Sequence, residues 1–192
     1  FTLIGATTRA GMLTAPLRDR FHVREHLGFY SVEELTAIVR RSGRKLVCDL
    51  DDDAAVEIAR RSRGTPRVAN NRLRWVRDYA DSKAGGKVTI DVARAALAMV
   101  GIDVLGLDKQ DRGYLETIIR VFGGGPVGVE AVAHTMNLAT DTLSDEVEPF
   151  LLRSELVVRT PRGRIVTTKA YQHLGIKPPE KKPVEESRPL FD

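Results

Sequence analysis

The apolar positions of this 192-residue chain change their period several times, and each change marks an element. Phe1-Thr2-Leu3-Ile4 runs into the small residues Gly5–Thr8, which predicts a buried strand over residues 1–8. Pro16 and the charged run Leu17-Arg18-Asp19-Arg20-Phe21 predict a turn or short helix, followed by a strand-like connector over 22–30. From Ser31 the period becomes helical. Ser31 and Glu34 have capping-box spacing, and Leu35, Ile38 and Val39 recur on one face. Asp51–Asp53 cap a second helix that carries Val56, Ile58 and Ala59 and stops at Gly64. Thr65-Pro66 opens a third, with proline at the first helical position, where no N–H is needed. Val68, Ala69, Leu73, Val76 and Ala80 form its apolar face, and Asp91–Val100 makes a fourth helix that Gly101 ends. Four helices between residues 31 and 100 predict a small all-helical domain.

Past Gly101–Gly106 the pattern restarts. A helix over 109–122 carries Tyr114, Leu115, Ile118, Ile119 and Phe122 on one side, and Gly123-Gly124-Gly125-Pro126 breaks it. Two further helical segments, 127–137 and 140–156, follow. Residues 156–168 then place two β-branched runs around Pro161-Arg162-Gly163, a hairpin signal. Helix, helix, helix, hairpin is the order of a winged helix, a relative of helix-turn-helix. The tail 177–192 has four prolines, four basic and four acidic residues, a composition expected to be disordered.

Composition narrows the chemistry. The chain is 42% hydrophobic and 29% charged, and no apolar run approaches the roughly 18 residues of a membrane span. With no recognisable leader, the expected compartment is the cytoplasm. A single cysteine, Cys48, excludes an internal disulfide, and His22, His26, His134 and His173 lack metal-ligand spacing, so no metal site is expected. The sequence contains no G-x-x-x-x-G-K-[ST], G-x-S-x-G or H-E-x-x-H motif. A chain that opens inside a strand-like run is expected to be a piece of a larger protein.

Charge points more sharply. The chain nets +4, and residues 153–169 alone hold five basic residues and one acidic. Arg159, Arg162 and Arg164 crowd one tight turn, where guanidiniums suit a nucleic-acid backbone or minor groove. A solvated hairpin is the other reading. Thr140, Asp141, Thr142, Ser144, Asp145 and Glu148 make the preceding helix acidic, which argues against base reading in the major groove. In Gly64-Thr65-Pro66-Arg67, the arginine sits at the positive end of a helix dipole and calls for an anion, either a phosphate or a neighbouring carboxylate. Thr7 and Thr8 end the first apolar run and can hold a water or phosphate oxygen. Arg18 and Arg20 fit either the transition-state charge of a γ-phosphate or a surface ion-pair cluster with Asp19.

Five phrases tie these segments together: FTLIGATTRAGMLTAPLRDRF, FYSVEEL, GTPRVANNRLRWVRDYA, FGGGPVGVE and RTPRGRIVTTKAYQHLGI. Over Phe1 to about Ile176 the chain resembles the C-terminal half of the RuvB family, AAA+ ATPases that drive Holliday-junction branch migration. The resemblance implies a mainly α fold: a helical AAA+ lid followed by a winged helix, preceded by the last strand of an α/β P-loop ATPase domain. The implied boundaries are 1–27 for the ATPase remnant, 28–102 for the lid, 103–176 for the winged helix and 177–192 for the tail. By the same resemblance Thr8 is the sensor-1 residue, and Arg20 is the arginine finger, with Arg18 beside it. Tyr30 and Pro66 line the nucleotide pocket and Arg67 is the sensor-2 arginine. Arg159 and Arg164, with Arg162 between them, contact DNA.

The implied cofactor is ATP with Mg²⁺. The implied partners are duplex DNA or a Holliday junction, further copies in a hexameric ring, and a RuvA-like junction-binding protein; no membrane is involved. Two departures stand out. Asn71, Arg72 and Trp75 are unusual for the family, with Arg72 where a leucine is expected. The Walker A and B segments are absent from this sequence, so the chain alone is expected not to hydrolyse ATP. The competing classes are a stand-alone winged-helix DNA-binding module and a clamp-loader-like fragment, which leaves the wing unexplained.

Overall fold

A computed structural model describes residues 1–7 and 10–178. It is mostly helical, with two separate apolar cores. A short 3-10 turn and helix α1 (Ala15–Asp19) come first. The first core belongs to α2 (Val32–Lys45), α3 (Asp52–Arg60), α4 (Pro66–Lys83) and α5 (Ile90–Met99). The capping box forms as its spacing predicts: Ser31 Oγ accepts from the Glu34 N–H at 3.2 Å, and the Ser31 N–H donates to the Glu34 carboxylate at 2.8 Å. Leu35, Val39, Ile58, Leu73, Val76 and Leu97 are buried where these helices meet. Two short strands, β1 (Asp49–Leu50) and β2 (Lys87–Val88), pair in parallel and tie the α2–α3 link to the α4–α5 link.

The second core begins at α6 (Lys109–Phe122), whose start is held by a second capping box. Asp108 Oδ1 accepts from the Gln110 and Asp111 N–H groups at 2.8 and 3.0 Å. Gly123 ends the helix in the left-handed region, with φ of 63°. Helix α7 (Val129–Met136) follows, then α8 (Thr140–Thr142), a π turn over Leu143–Val147 and α9 (Glu148–Arg153). Pro149 explains the wide turn. A proline has no N–H to donate and its ring crowds the carbonyl four residues back, so the helix loosens just before it. Strands β3 (Val157–Thr160) and β4 (Gly163–Val166) form an antiparallel hairpin, and α10 (Thr168–Leu174) closes the domain. Tyr114, Leu115, Ile118, Leu143, Leu151 and Leu156 fill the core.

The first expectation is corrected. Residues 1–7 form no strand and are exposed, and the connector 22–30 is irregular. A strand exists only through hydrogen bonds to a neighbour, and no other described segment pairs with 1–7. Helix α3 ends at Arg60, and residues 61–64 turn before α4, with Arg63 and Gly64 both at positive φ. The β1–β2 pair and α10 are additions to the predicted elements. Most of the expected disordered tail lies outside the described residues.

Candidate nucleic-acid interface and nucleotide edge

The hairpin register decides what its arginines do. Val157 pairs with Val166 and Arg159 with Arg164. Alternate residues of a strand share a face, so the arginine pair points the same way as the buried valine pair, toward the body of the domain. Like charges directly opposite one another repel. The compensating anion is Glu148, whose side chain is 0% exposed. Arg164 donates from Nε at 2.8 Å and from Nη2 at 3.2 Å, Arg159 donates from Nη2, and the Tyr114 hydroxyl donates at 2.6 Å. Burial pushes the Glu148 carboxyl up, but the donors from Arg164, Tyr114 and Arg159 outweigh it and hold it below its ordinary range. Burial and then the bond to Glu148 push the Tyr114 hydroxyl up, which keeps it protonated as a donor.

The three wing arginines therefore differ. Arg164 is 17% exposed along its side chain and is committed to Glu148. Arg159 is 52% exposed, held on one edge and open on the other. Arg162, at the turn, is exposed and has no carboxylate partner among the described residues. The hairpin itself is locked to the domain by Val127: the Arg164 N–H donates to its carbonyl at 2.8 Å, and its own N–H donates to the Arg164 carbonyl at 3.1 Å. Glu148 also leaves the acidic surface of the preceding helix, where Asp141, Asp145 and Glu146 remain exposed.

A second constellation lies on the lid. The Tyr30 N–H donates to the Gly64 carbonyl at 2.9 Å, which brings Tyr30 beside the start of α4. Pro66 begins that helix and Arg67, one position on, is exposed. Tyr30, Pro66 and Arg67 thus come together at the N-terminus of an 18-residue helix, where an anion is favoured. Arg18 and Arg20 are exposed on α1 and its C-cap, and neither forms an ion pair among the described residues. Asp19 pairs with Arg24 instead, at 3.5 Å, so the expected cluster of Asp19 with its two neighbouring arginines does not form. No hydrogen bond joins α1 to the lid among the described residues. Thr8 lies outside them. Among the described residues no cluster of His, Cys, Asp or Glu could hold a metal ion, and no helix is long and apolar enough to cross a membrane.

Arg72 and Trp75, the unusual lid residues, have definite partners. The Trp75 indole donates to the Ala96 carbonyl at 2.7 Å. Arg72 is buried and donates to the Gly106 carbonyl at 3.1 Å, at the joint between the two domains. Burial, and then the nearby Arg63 charge, lowers its pKa to about 10. Ala69, Leu73, Val76 and Ala80 stay fully buried, so the lid core is intact around it. Sequence reasoning missed Glu148, Tyr114, Asp111, Arg63 and Arg153. For Glu148 a signal exists: an acid directly before a helical proline, in a segment followed by paired arginines.

An AAA-type helical lid joined to a winged helix is the class these two domains define. Residues 30–103 match the RuvB AAA lid domain, residues 104–175 the RuvB C-terminal winged helix domain, and residues 1–27 the Holliday junction DNA helicase RuvB P-loop domain. The Holliday junction branch migration complex subunit RuvB of Rhodopirellula baltica is 65% identical over 181 residues, covering 94% of this chain and 50% of that protein. The Saccharopolyspora erythraea subunit is 53% identical over 191 residues, covering 100% of this chain and 54% of its own length. The solved Thermotoga maritima RuvB branch migration motor is 44% identical with a TM-score of 0.86, over 90% of this chain and 58% of that one. The chain belongs to the RuvB family, and it spans about half the length of the curated relatives it matches.

Proposed function

We propose that this chain is the lid and DNA-holding part of an ATP-driven motor that migrates Holliday junctions. The observation that carries the proposal is the wing: two arginines set by a buried carboxylate, with a third exposed at the tip, in a chain 65% identical over 181 residues to a branch-migration subunit. Arg159 and Arg162 would hold phosphate oxygens, while Arg164 and Glu148 fix the hairpin. Phosphate contacts carry no sequence information, so the domain would grip any duplex. The acidic surface of α8 and the π turn favours that over base reading.

The lid edge fits a nucleotide. An exposed guanidinium, Arg67, stands at a helix N-terminus beside Tyr30, which suits an anionic ligand next to a ring. ATP with Mg²⁺ would supply the transferable phosphoryl group, and this sequence contains no loop of its own to cradle it. Arg67, and Arg20 reaching toward a neighbouring copy, would offset charge that develops on phosphoryl oxygens. Tyr30 and Pro66 would border the pocket, with Thr8 and Arg18 near the reacting end. A hexameric ring and a RuvA-like junction-binding partner complete the proposal.

The test uses the whole protein of which this sequence is part, in a junction-migration assay with Arg20→Ala. Retained ATP binding with loss of turnover and of migration is expected. Undiminished migration would remove Arg20 from the machinery. A strong preference for one duplex sequence, with no migration by the unaltered protein, would favour a stand-alone DNA-binding module instead.

A further inference from the structure

The segment Arg61–Thr65, which leads into α4, is gripped from both sides. On one side the Tyr30 N–H bonds to the Gly64 carbonyl at 2.9 Å. On the other side stand groups of the winged helix. Arg63 pairs with Asp108 at 2.7 Å and with Asp111, and its guanidinium carbon lies 5.1 Å from the centre of the Phe150 ring. Arg153, the last residue of α9, donates to the Arg63 carbonyl at 2.6 Å. Its guanidinium lies over Phe29, 3.7 Å from the ring centre, with Phe150 at 5.4 Å.

Arg153 is an arginine without an acid. Among the described residues no carboxylate pairs with it, and its charge rests on two rings and one carbonyl. An arginine kept only for solubility or helix-end charge would extend into water. This one reaches back to residues adjacent to Tyr30. Gly64 has φ of +68°, and a Cβ there would lie 2.9 Å from both Arg153 Nη1 and Phe29 Cβ, so no side chain fits between the two domains. The backbone at 63–64 is thereby shaped by the winged helix, and that same backbone sets Tyr30 and, three residues on, Arg67.

We infer that Arg153 is a positioning residue for nucleotide binding: by stacking on Phe29 and holding the Arg63 carbonyl, the winged helix orients the lid's nucleotide edge. The inference rests on the function proposed above. It makes affinity for an adenine nucleotide depend on a side chain of the winged helix, acting through the Arg63 carbonyl and the Phe29 ring. Cation–aromatic stacking in a partly desolvated setting has the strength to be felt as a binding change of about fivefold to tenfold.

The experiment measures ADP affinity and steady-state ATP hydrolysis in the whole protein carrying Arg153→Ala, Arg153→Lys or Phe29→Leu. The Arg153→Ala variant is expected to raise the ADP Kd and the KM for ATP by about fivefold to tenfold while leaving kcat at saturation within about twofold. Lysine keeps the charge and one donor but not the planar stack, so it should recover only part of the affinity. If Arg153→Ala fails to fold, the Phe29→Leu variant reads the same contact from the opposite side and should show the same rise. Unchanged ADP affinity in both Arg153→Lys and Phe29→Leu, with the unaltered protein hydrolysing ATP normally, would overturn the inference and leave the proposed function standing. An unaltered protein that binds no ADP would overturn both.

Discussion

Arg164 places its Nε 2.8 Å from a carboxylate oxygen of Glu148, and the Glu148 side chain has no exposed surface. The wing of this protein is therefore built around an internal anion. Two guanidiniums that would otherwise repel are fixed in register by one carboxylate, which also takes the Tyr114 hydroxyl bond. Removing the charge leaves the arginine pair uncompensated, and breaking a buried pair from one side is strongly destabilising. Glu148→Gln is expected to lower unfolding stability by about 2–4 kcal/mol in urea titration.

The acid limb of the stability curve follows from the same carboxylate. Glu148 is held below its ordinary value of 4.5 in the folded protein. A depressed carboxyl stabilises the fold above its unfolded pKa and loses that contribution as pH falls through its folded pKa. Unfolding stability should therefore drop below about pH 4.5, and the Glu148→Gln variant should show a shallower drop over that range.

Substitution of the three wing arginines should separate stability from binding. Arg164→Ala strips the main donor from a buried carboxylate and should destabilise by about 2–4 kcal/mol. Arg162→Ala removes an exposed tip charge and should change stability by no more than about 0.5 kcal/mol while weakening duplex binding. Arg159→Ala should do some of each. Thermal unfolding and duplex titration of the same three variants check the pattern.

Asp111 gives a titration of opposite sign. It is buried at the domain joint, where burial raises its pKa from 3.8 to about 6 although Arg63 pulls it down. A raised carboxyl adds stability below its unfolded pKa and loses it as pH climbs through the folded value. This group's contribution should thus fade between about pH 4 and 6, and Asp111→Asn should remove that slope. Carboxyl-carbon NMR of Asp111 should show a midpoint near 6.

Gly64→Ala tests the joint itself. The position has φ of +68° and no room for a Cβ between Arg153 and Phe29. The left-handed backbone and the two close contacts together should lower stability by about 1–3 kcal/mol, read from urea unfolding.

Local rules carried much of the fold. Both the Ser31–Glu34 box and the proline start of α4 stand where residue spacing puts them, because a helix start is decided within four residues. Residues 1–7 failed for the opposite reason: a strand depends on partners that no local pattern supplies. The wing arginines were legible as a charge cluster, but their division of labour was not. That division depends on Glu148, which the sequence places 11 residues before Arg159 and which a π turn and Pro149 rotate inward. Arg72 looked like a misplaced core residue, and its acceptor, Gly106, lies 34 positions away. Arg153 carried no signal at all, since stacking on Phe29 joins two domains across more than half the chain.

A wing that holds duplex by the phosphate backbone, as proposed, must bind with a steep salt dependence and without regard to sequence. Two duplexes of equal length and unrelated sequence would be titrated with this chain over a range of salt concentrations. The predicted result is matching affinities that fall linearly with the logarithm of salt, with a slope that becomes shallower by about 1 in Arg162→Ala. A large preference for one duplex, or a slope untouched by substitutions at Arg159 and Arg162, would contradict it.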